Sequence, residues 1–223
     1  MTVRDVAPSR PLRKDAARNR ELLIESARVV FARRGLEASL DEIAHQAGVG
    51  VGTAYRHFAN KYELASALMQ QTVDAMVDSA EQALQADDPW DGLVSFLEAA
   101  LAAQTVDRGL REVLMGVHDP EKMDQVHDRL IGPINELMLR AQRAGAIRAD
   151  ADTTDLGFII GMLCTVADMA AGSPDLWRRY LTILLDGLRP GGTPLTTPPL
   201  TAPEFRAAMA AHKQLLTRAA RGT

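Results

Sequence analysis

The stretch Ser39-Leu-Asp-Glu-Ile-Ala-His-Gln-Ala-Gly-Val-Gly-Val-Gly-Thr-Ala-Tyr-Arg-His-Phe58 decides the fold. Its first four residues read as a capping box, in which the Ser39 oxygen accepts from the amide of Glu42 and the Glu42 carboxylate reaches back to the Ser39 amide. A short helix starts there, carrying Leu40, Ile43, Ala44 and Ala47 inward, and Gly48 breaks it. A second short helix covers roughly residues 51–58. Ala44, Ala47, Val49, Ala54 and Phe58 would bury between the two. That leaves Gly50, Gly52, Thr53, Tyr55, Arg56 and His57 on the outer side.

Two short helices joined by a glycine turn have the spacing of a helix-turn-helix, whose second helix enters the major groove of double-stranded DNA. Gly52 lets backbone approach closely. Thr53 and Tyr55 can donate hydroxyls to phosphate or bases, Arg56 can hydrogen-bond guanine or phosphate, and Val51 can touch a thymine methyl. Each residue also has a plainer reading. His57 can cap or pack, Tyr55 can bury its ring, and Ser39 can do nothing beyond capping.

Upstream, from about Asp15 to Arg34, Leu23, Ile24, Ala27, Val30 and Phe31 recur at three- and four-residue spacings and predict one buried helix face. Arg33 and Arg34 favour its negative end, and Gly35 supplies a stop. Charge sets this region apart. Residues 1–62 hold 11 basic and 7 acidic residues, a net of +4, whereas residues 63–223 hold 14 and 22, a net of −8. A basic head on an acidic body points to a polyanion at the head, or to a solvated tail. Arg10, Arg13, Lys14 and Arg18 can reach a minor groove or phosphate, or lie in solvent.

Downstream, Asn60 or a neighbour caps a helix from Lys61 towards Ala86, ended by Asp87-Asp88-Pro89. Helical stretches follow near 91–104, 108–117 and 121–144, the last kinked or split at Gly132-Pro133. Two greasy helices close the series, one from Asp152 or Thr153 to Ala171 and one ending near Leu188, with Pro174 in the latter's first turn. No alternating strand pattern interrupts them, so the fold class is all-α. Residues 189–203, Arg-Pro-Gly-Gly-Thr-Pro-Leu-Thr-Thr-Pro-Pro-Leu-Thr-Ala-Pro, read as an extended linker. Phe205, Met209, Leu216 and Ala219 then share a face of a final helix or a frayed tail.

Composition excludes several classes. With 47% hydrophobic and 24% charged residues over 223 positions, the chain fits neither a disordered nor a fibrous protein. The one cysteine, Cys164, permits neither an internal disulfide nor a cysteine-based zinc site, and a reducing cytoplasm is the natural home. The polar, basic N-terminus is no secretory signal, and the longest near-continuous apolar run, 157–167, is too short for a membrane span.

Gly48-Val-Gly-Val-Gly-Thr-Ala-Tyr-Arg-His-Phe58, followed by Asn60-Lys61, resembles the recognition segment of TetR-type transcriptional repressors. The surrounding pattern agrees over residues 16–64, and a closing Leu-Leu-Asp-Gly-Leu-Arg-Pro190 is like that of some members. The resemblance implies that Ser39, Leu40 and Lys61 bind phosphates and that Tyr55 and His57 contact the backbone. Gly50, Val51, Gly52, Thr53 and Arg56 would read bases or brace against the strand. Val51 and Ala54 depart modestly from the family's usual polar residue and leucine. The implied organisation is a flexible basic arm (1–15), a three-helix DNA-binding domain (16–62), a ligand-sensing and dimerisation domain (63–189), a linker (190–203) and a C-terminal helix or tail (204–223).

Apolar surface on the last two helices must be covered, and the resemblance implies that they pair with their copies in a homodimer through Leu156, Ile160, Leu163, Trp177, Leu181, Leu184 and Leu188. A two-fold dimer demands a palindromic operator. The remaining helices would enclose a small hydrophobic inducer, with Phe96, Leu97, Leu114, Met115, Met138, Phe158 and Met162 as candidate lining. No catalytic residue, cofactor or metal is expected. Gly48-x-Gly-x-Gly is not a dinucleotide fingerprint, and no nucleophile elbow or P-loop is present. The alternatives are a metal-sensing regulator using Asp124, His127, Asp128 and His118, a redox sensor using Cys164, or a helical interaction module without DNA contact.

Overall fold

A computed structural model describes residues 10–105, 120–170, 172–209 and 211, and every regular element among them is helical. Helix α1 runs Arg10–Arg34, with a 3-10 turn at Gly35–Glu37 behind it. The others are α2 (Leu40–Ala47), α3 (Val51–His57), α4 (Lys61–Ala83), α5 (Pro89–Thr105), α6 (Pro120–Arg143), α7 (Thr153–Met169) and α8 (Leu176–Leu188). Two compact units divide inside α4, between Thr72 and Val73. Among the described residues, no helix is long and apolar enough to cross a membrane.

In the first unit the apolar stripe of α1 closes on α2 and α3. Leu23, Ile24, Ala27 and Phe31 are fully buried with Ile43, Ala44 and Ala54, and Leu64 and Leu68 of α4 complete the cluster. Burial of each large side chain stabilises this small core by about 1.5–3 kcal/mol. Helix α1 begins at Arg10, ahead of the Asp15 start read from sequence, because Pro11 falls in a first turn where its missing amide costs nothing. Residues 10–15 are therefore helix and not arm. Lys14 and Arg18 are exposed on it.

The second unit is built around Leu93, Phe96, Leu97 and Leu101 of α5, Leu137, Met138 and Ala141 of α6, Leu156, Ile159 and Leu163 of α7, and Trp177, Leu181, Leu185 and Leu188 of α8. Helix α6 is continuous through Pro133 and not split there. The proline removes one backbone bond, and the burial of Leu137, Met138 and Ala141 beyond it offsets that loss. Arg140 donates to the carbonyls of Leu84 and Ala86, satisfying the end of α4. Asp152 caps α7 in a second capping box with Asp155. Pro174 lies in the turn before α8, whose N-cap is Asp175, and not in the helix.

Several sequence expectations change here. Leu156, Leu163, Trp177, Leu181 and Leu188, expected between copies, are buried in the protomer's own core, with Ile160 and Leu184 half-buried at its edge. The reason is that one helix pair must first cover α5 and α6. What α7 and α8 leave exposed is a different apolar set: Met162, Met169, Tyr180 and Ile183. Of the candidate pocket residues, Phe96, Leu97 and Met138 are core side chains, Met162 is half exposed, and Phe158 packs edge-on against Phe205. Residues 189–201 have no regular structure, as a linker should, yet hydrogen bonds to Arg148, Asp150 and Thr154 pin them. Residues 202–209 are helical. Leu114, Met115, His118, Leu216, Ala219 and the 108–117 helix lie outside the described residues, as do the side chains of Asp124 and His127.

Candidate nucleic-acid interface

The site is assembled by three local devices. Ser39, in extended conformation, accepts the Glu42 amide at 3.1 Å, and the Glu42 carboxylate accepts the Ser39 amide at 3.0 Å. Arg34 pairs with the same carboxylate. These bonds, led by that from the Ser39 amide, hold the Glu42 carboxyl below its ordinary range. Leu40 is buried, so any phosphate contact at this helix start falls to backbone amides and not to its side chain.

The second device is the turn. Gly48 is left-handed at φ 65°, its amide donates to the carbonyls of Ala44 and His45, and the Val49 amide donates to Ala44 at 3.0 Å. This swings α3 across α2 and buries Val49, Ala54 and Phe58, with Ala47 partly covered. The opposite side of α3 is open. Gly50, Gly52, Tyr55 and Arg56 are exposed, Val51, Thr53 and His57 half-buried. A Cβ built on Gly52 would meet nothing within 4 Å.

Arg56 folds back along its own helix, donating from Nε to the Gly52 carbonyl at 3.2 Å and from one Nη to Thr53 Oγ1 at 3.4 Å. A guanidinium has five N–H donors, so about three remain for a partner. Beside it, the Asp41 carboxylate raises the Tyr55 phenol above its ordinary pKa, by hydrogen bonding first and charge second. Tyr55 is thus neutral at physiological pH, its one O–H donated to Asp41.

The third device starts α4. Asn60 Oδ1 accepts the amides of Tyr62 and Glu63 at 2.9 and 3.0 Å, and Glu63 returns a carboxylate to the Ala59 amide at 2.9 Å. Lys61 is held at the first position, its Nζ 5.6 Å from the Tyr62 ring centroid. Tyr62, half exposed, joins this surface, and its sequence signal is no more than an aromatic residue directly after the helix start. Arg20 covers the Phe58 ring at 5.3 Å. The chemistry on offer is donors and cations around an open helix face. Among the described residues, no group of three His, Cys, Asp or Glu can hold a metal ion, and Cys164 is buried.

A basic head with a helix-turn-helix, followed by a larger helical domain, defines a class of regulatory protein. Residues 23–68 match the family model described as bacterial regulatory proteins, tetR family, and residues 88–190 match that of the transcriptional regulator SbtR-like C-terminal domain. A TetR transcription regulatory protein from Mycobacterium vanbaalenii is 34% identical, with 80% of this chain and 99% of that chain covered at a TM-score of 0.62. The fatty acid degradation regulator FadR from Bacillus halodurans is 26% identical, covering 76% and 99% at 0.59. An HTH-type transcriptional regulator of Staphylococcus aureus is 38% identical over 72 residues, which is 32% of this chain and only 39% of that relative's length. The chain belongs to the TetR family. That family consists of transcriptional regulators, a non-enzymatic class.

Proposed function

We propose that this chain is a homodimeric, cytoplasmic repressor that binds a palindromic operator and is released from it by a small hydrophobic molecule. The observation that carries the DNA reading is the open outer face of α3, where Gly50, Gly52, Tyr55 and Arg56 are exposed on a helix braced from behind by Ala54 and Phe58. Arg56 with Val51 and Thr53 would read base edges. Tyr55, His57, Lys61, Ser39 and the backbone amides at Leu40 would hold phosphates, positioning the helix without reading sequence.

For the dimer, the support is the exposed apolar set on α7 and α8: Met162, Met169, Tyr180 and Ile183, with Ile160 and Leu184 at its margin. A second copy would cover it. For the effector, likeness to a regulator of fatty acid degradation makes fatty acids the first probes. Such a molecule must bind the non-DNA-binding conformation better, and DNA must weaken its binding by the same factor.

The test is a mobility shift on DNA from the chain's own upstream region. Wild type should bind one palindrome far tighter than random DNA at physiological salt. Arg56→Ala should lose about 1–3 kcal/mol of that preference, roughly 5- to 150-fold, and Tyr55→Ala should weaken binding to all sequences alike. No preference for any palindrome would sink the proposal.

A further inference from the structure

Residues 189–201 have a linker's composition and exposure but not a linker's contacts. Arg148, just before α7, sits at the centre of them. Its main-chain amide donates to the Leu188 carbonyl at 2.9 Å, and its guanidinium donates to the carbonyls of Gly187 at 3.3 Å and Thr193 at 2.6 Å. The same guanidinium grips both oxygens of Asp150, whose Oδ2 also accepts the Leu195 amide at 2.9 Å. The Arg148 side chain is only 12% exposed although Asp150 is 39% exposed, so the clasp is anchored on its buried arginine and open to water at its carboxylate.

Farther on, Thr154 donates to the Leu200 carbonyl at 3.4 Å. Thr201 and Glu204 then cap a last helical turn, from which Phe205 reaches back to α7. Its ring meets Phe158 edge-on at 5.1 Å, in the space where Gly157 lacks a side chain: a Cβ there would come within 2.4 Å of the Phe205 ring. Gly157, Gly161 and Thr165 share one stripe of α7 at four-residue spacing, with Phe158 and Met162 alongside. Phe205 fills the first notch of that stripe. At Gly161 a Cβ would meet nothing within 4 Å.

We infer that residues 189–205 form a latched strap, clasped by Arg148 and Asp150 and plugged by Phe205, which withholds the first turns of α7 from a second copy of the chain. This rests on the dimer reading above. A few hydrogen bonds, the Phe205 ring and the stacking of Arg189 on Trp90, not a buried core, hold the strap, so it opens locally long before the domain unfolds. Seated, it confines a partner's contact to the Gly161–Met169 part of the face. Released, it lengthens the apolar strip to Gly157 and Phe158.

Three variants of the full chain test this by hydrogen exchange and by sedimentation over a range of concentrations. Gly157→Ala ejects the ring while favouring the helix, Phe205→Ala empties the notch without touching α7, and Asp150→Asn opens the clasp. Exchange of the Leu195 amide should rise at least about tenfold in Asp150→Asn and Gly157→Ala, and self-association should tighten at least about threefold in Gly157→Ala and Phe205→Ala. Unchanged exchange overturns the latch. Release with unchanged or weaker self-association overturns the withholding role. A chain monomeric at every concentration overturns the dimer reading instead, and exchange then still reports the latch.

Discussion

Replacing Gly52 by alanine should stabilise the protein and weaken its hold on DNA at the same time. The backbone of Gly52 is not in the left-handed region, and a Cβ there meets nothing within 4 Å. Alanine therefore fits without strain and relieves part of the helix penalty of glycine. The full interior penalty is about 0.8–1 kcal/mol, and about half applies in a first turn. For a chain of this size, roughly 0.5 kcal/mol raises the melting temperature by about 1–2 °C. The same methyl stands on the face of α3 that the DNA reading sets against a duplex. If backbone must approach there, the methyl costs on the order of 1.4 kcal/mol, or about tenfold in affinity. Thermal unfolding and operator titration on one sample read both numbers. Opposite signs separate the interpretation from simple misfolding. A lowered melting temperature would mean that this face is packed. Undiminished operator affinity would mean that Gly52 does not lie against DNA.

Gly48→Ala should act through the backbone alone, because φ is +65° and the surroundings are open. A loss of about 1–2 kcal/mol in denaturant titration is expected, with Gly48→Asn milder; equal stability of all three would refute the left-handed turn. Acid should act on the strap. Hydrogen bonding from Arg148 and from the Leu195 amide holds the Asp150 carboxyl well below the usual carboxylate range. A depressed carboxylate contributes its stability above the unfolded value near about 3.9, and that contribution is lost as pH falls through this value towards the folded one. Protection of the Leu195 amide, corrected for intrinsic exchange, should be flat from pH 8 to 5 and fall only below about 4. A midpoint near neutrality would contradict the clasp.

The helix-turn-helix was legible because its signals are local. Ser39 and Glu42 are three residues apart, Gly48 stops one helix by its own backbone freedom, and Ala44, Ala54 and Phe58 follow the helical period. Periodicity also identified α7 as apolar nearly all round and gave α8 a broad apolar stripe. For α7 it could not say which side faces inward, since a greasy helix offers no contrast between faces; for α8 the stripe is plain, but not whether the protomer or a second copy covers it. Leu156, Leu163, Trp177 and Leu181, which the family resemblance places between copies, fill the protomer's own core.

The strap shows the same division more sharply. Its Pro, Gly and Thr residues rule out a regular element, and the chain takes none between 189 and 201. Nothing in that composition reveals that Arg148 meets Thr193, 45 residues later, or that Phe205 meets the missing side chain of Gly157. Helices, caps and turns are settled by interactions within a few residues, and the sequence alone determined them. Which apolar face is covered, and where a flexible segment is fastened, depends on partners brought together only when the whole chain packs.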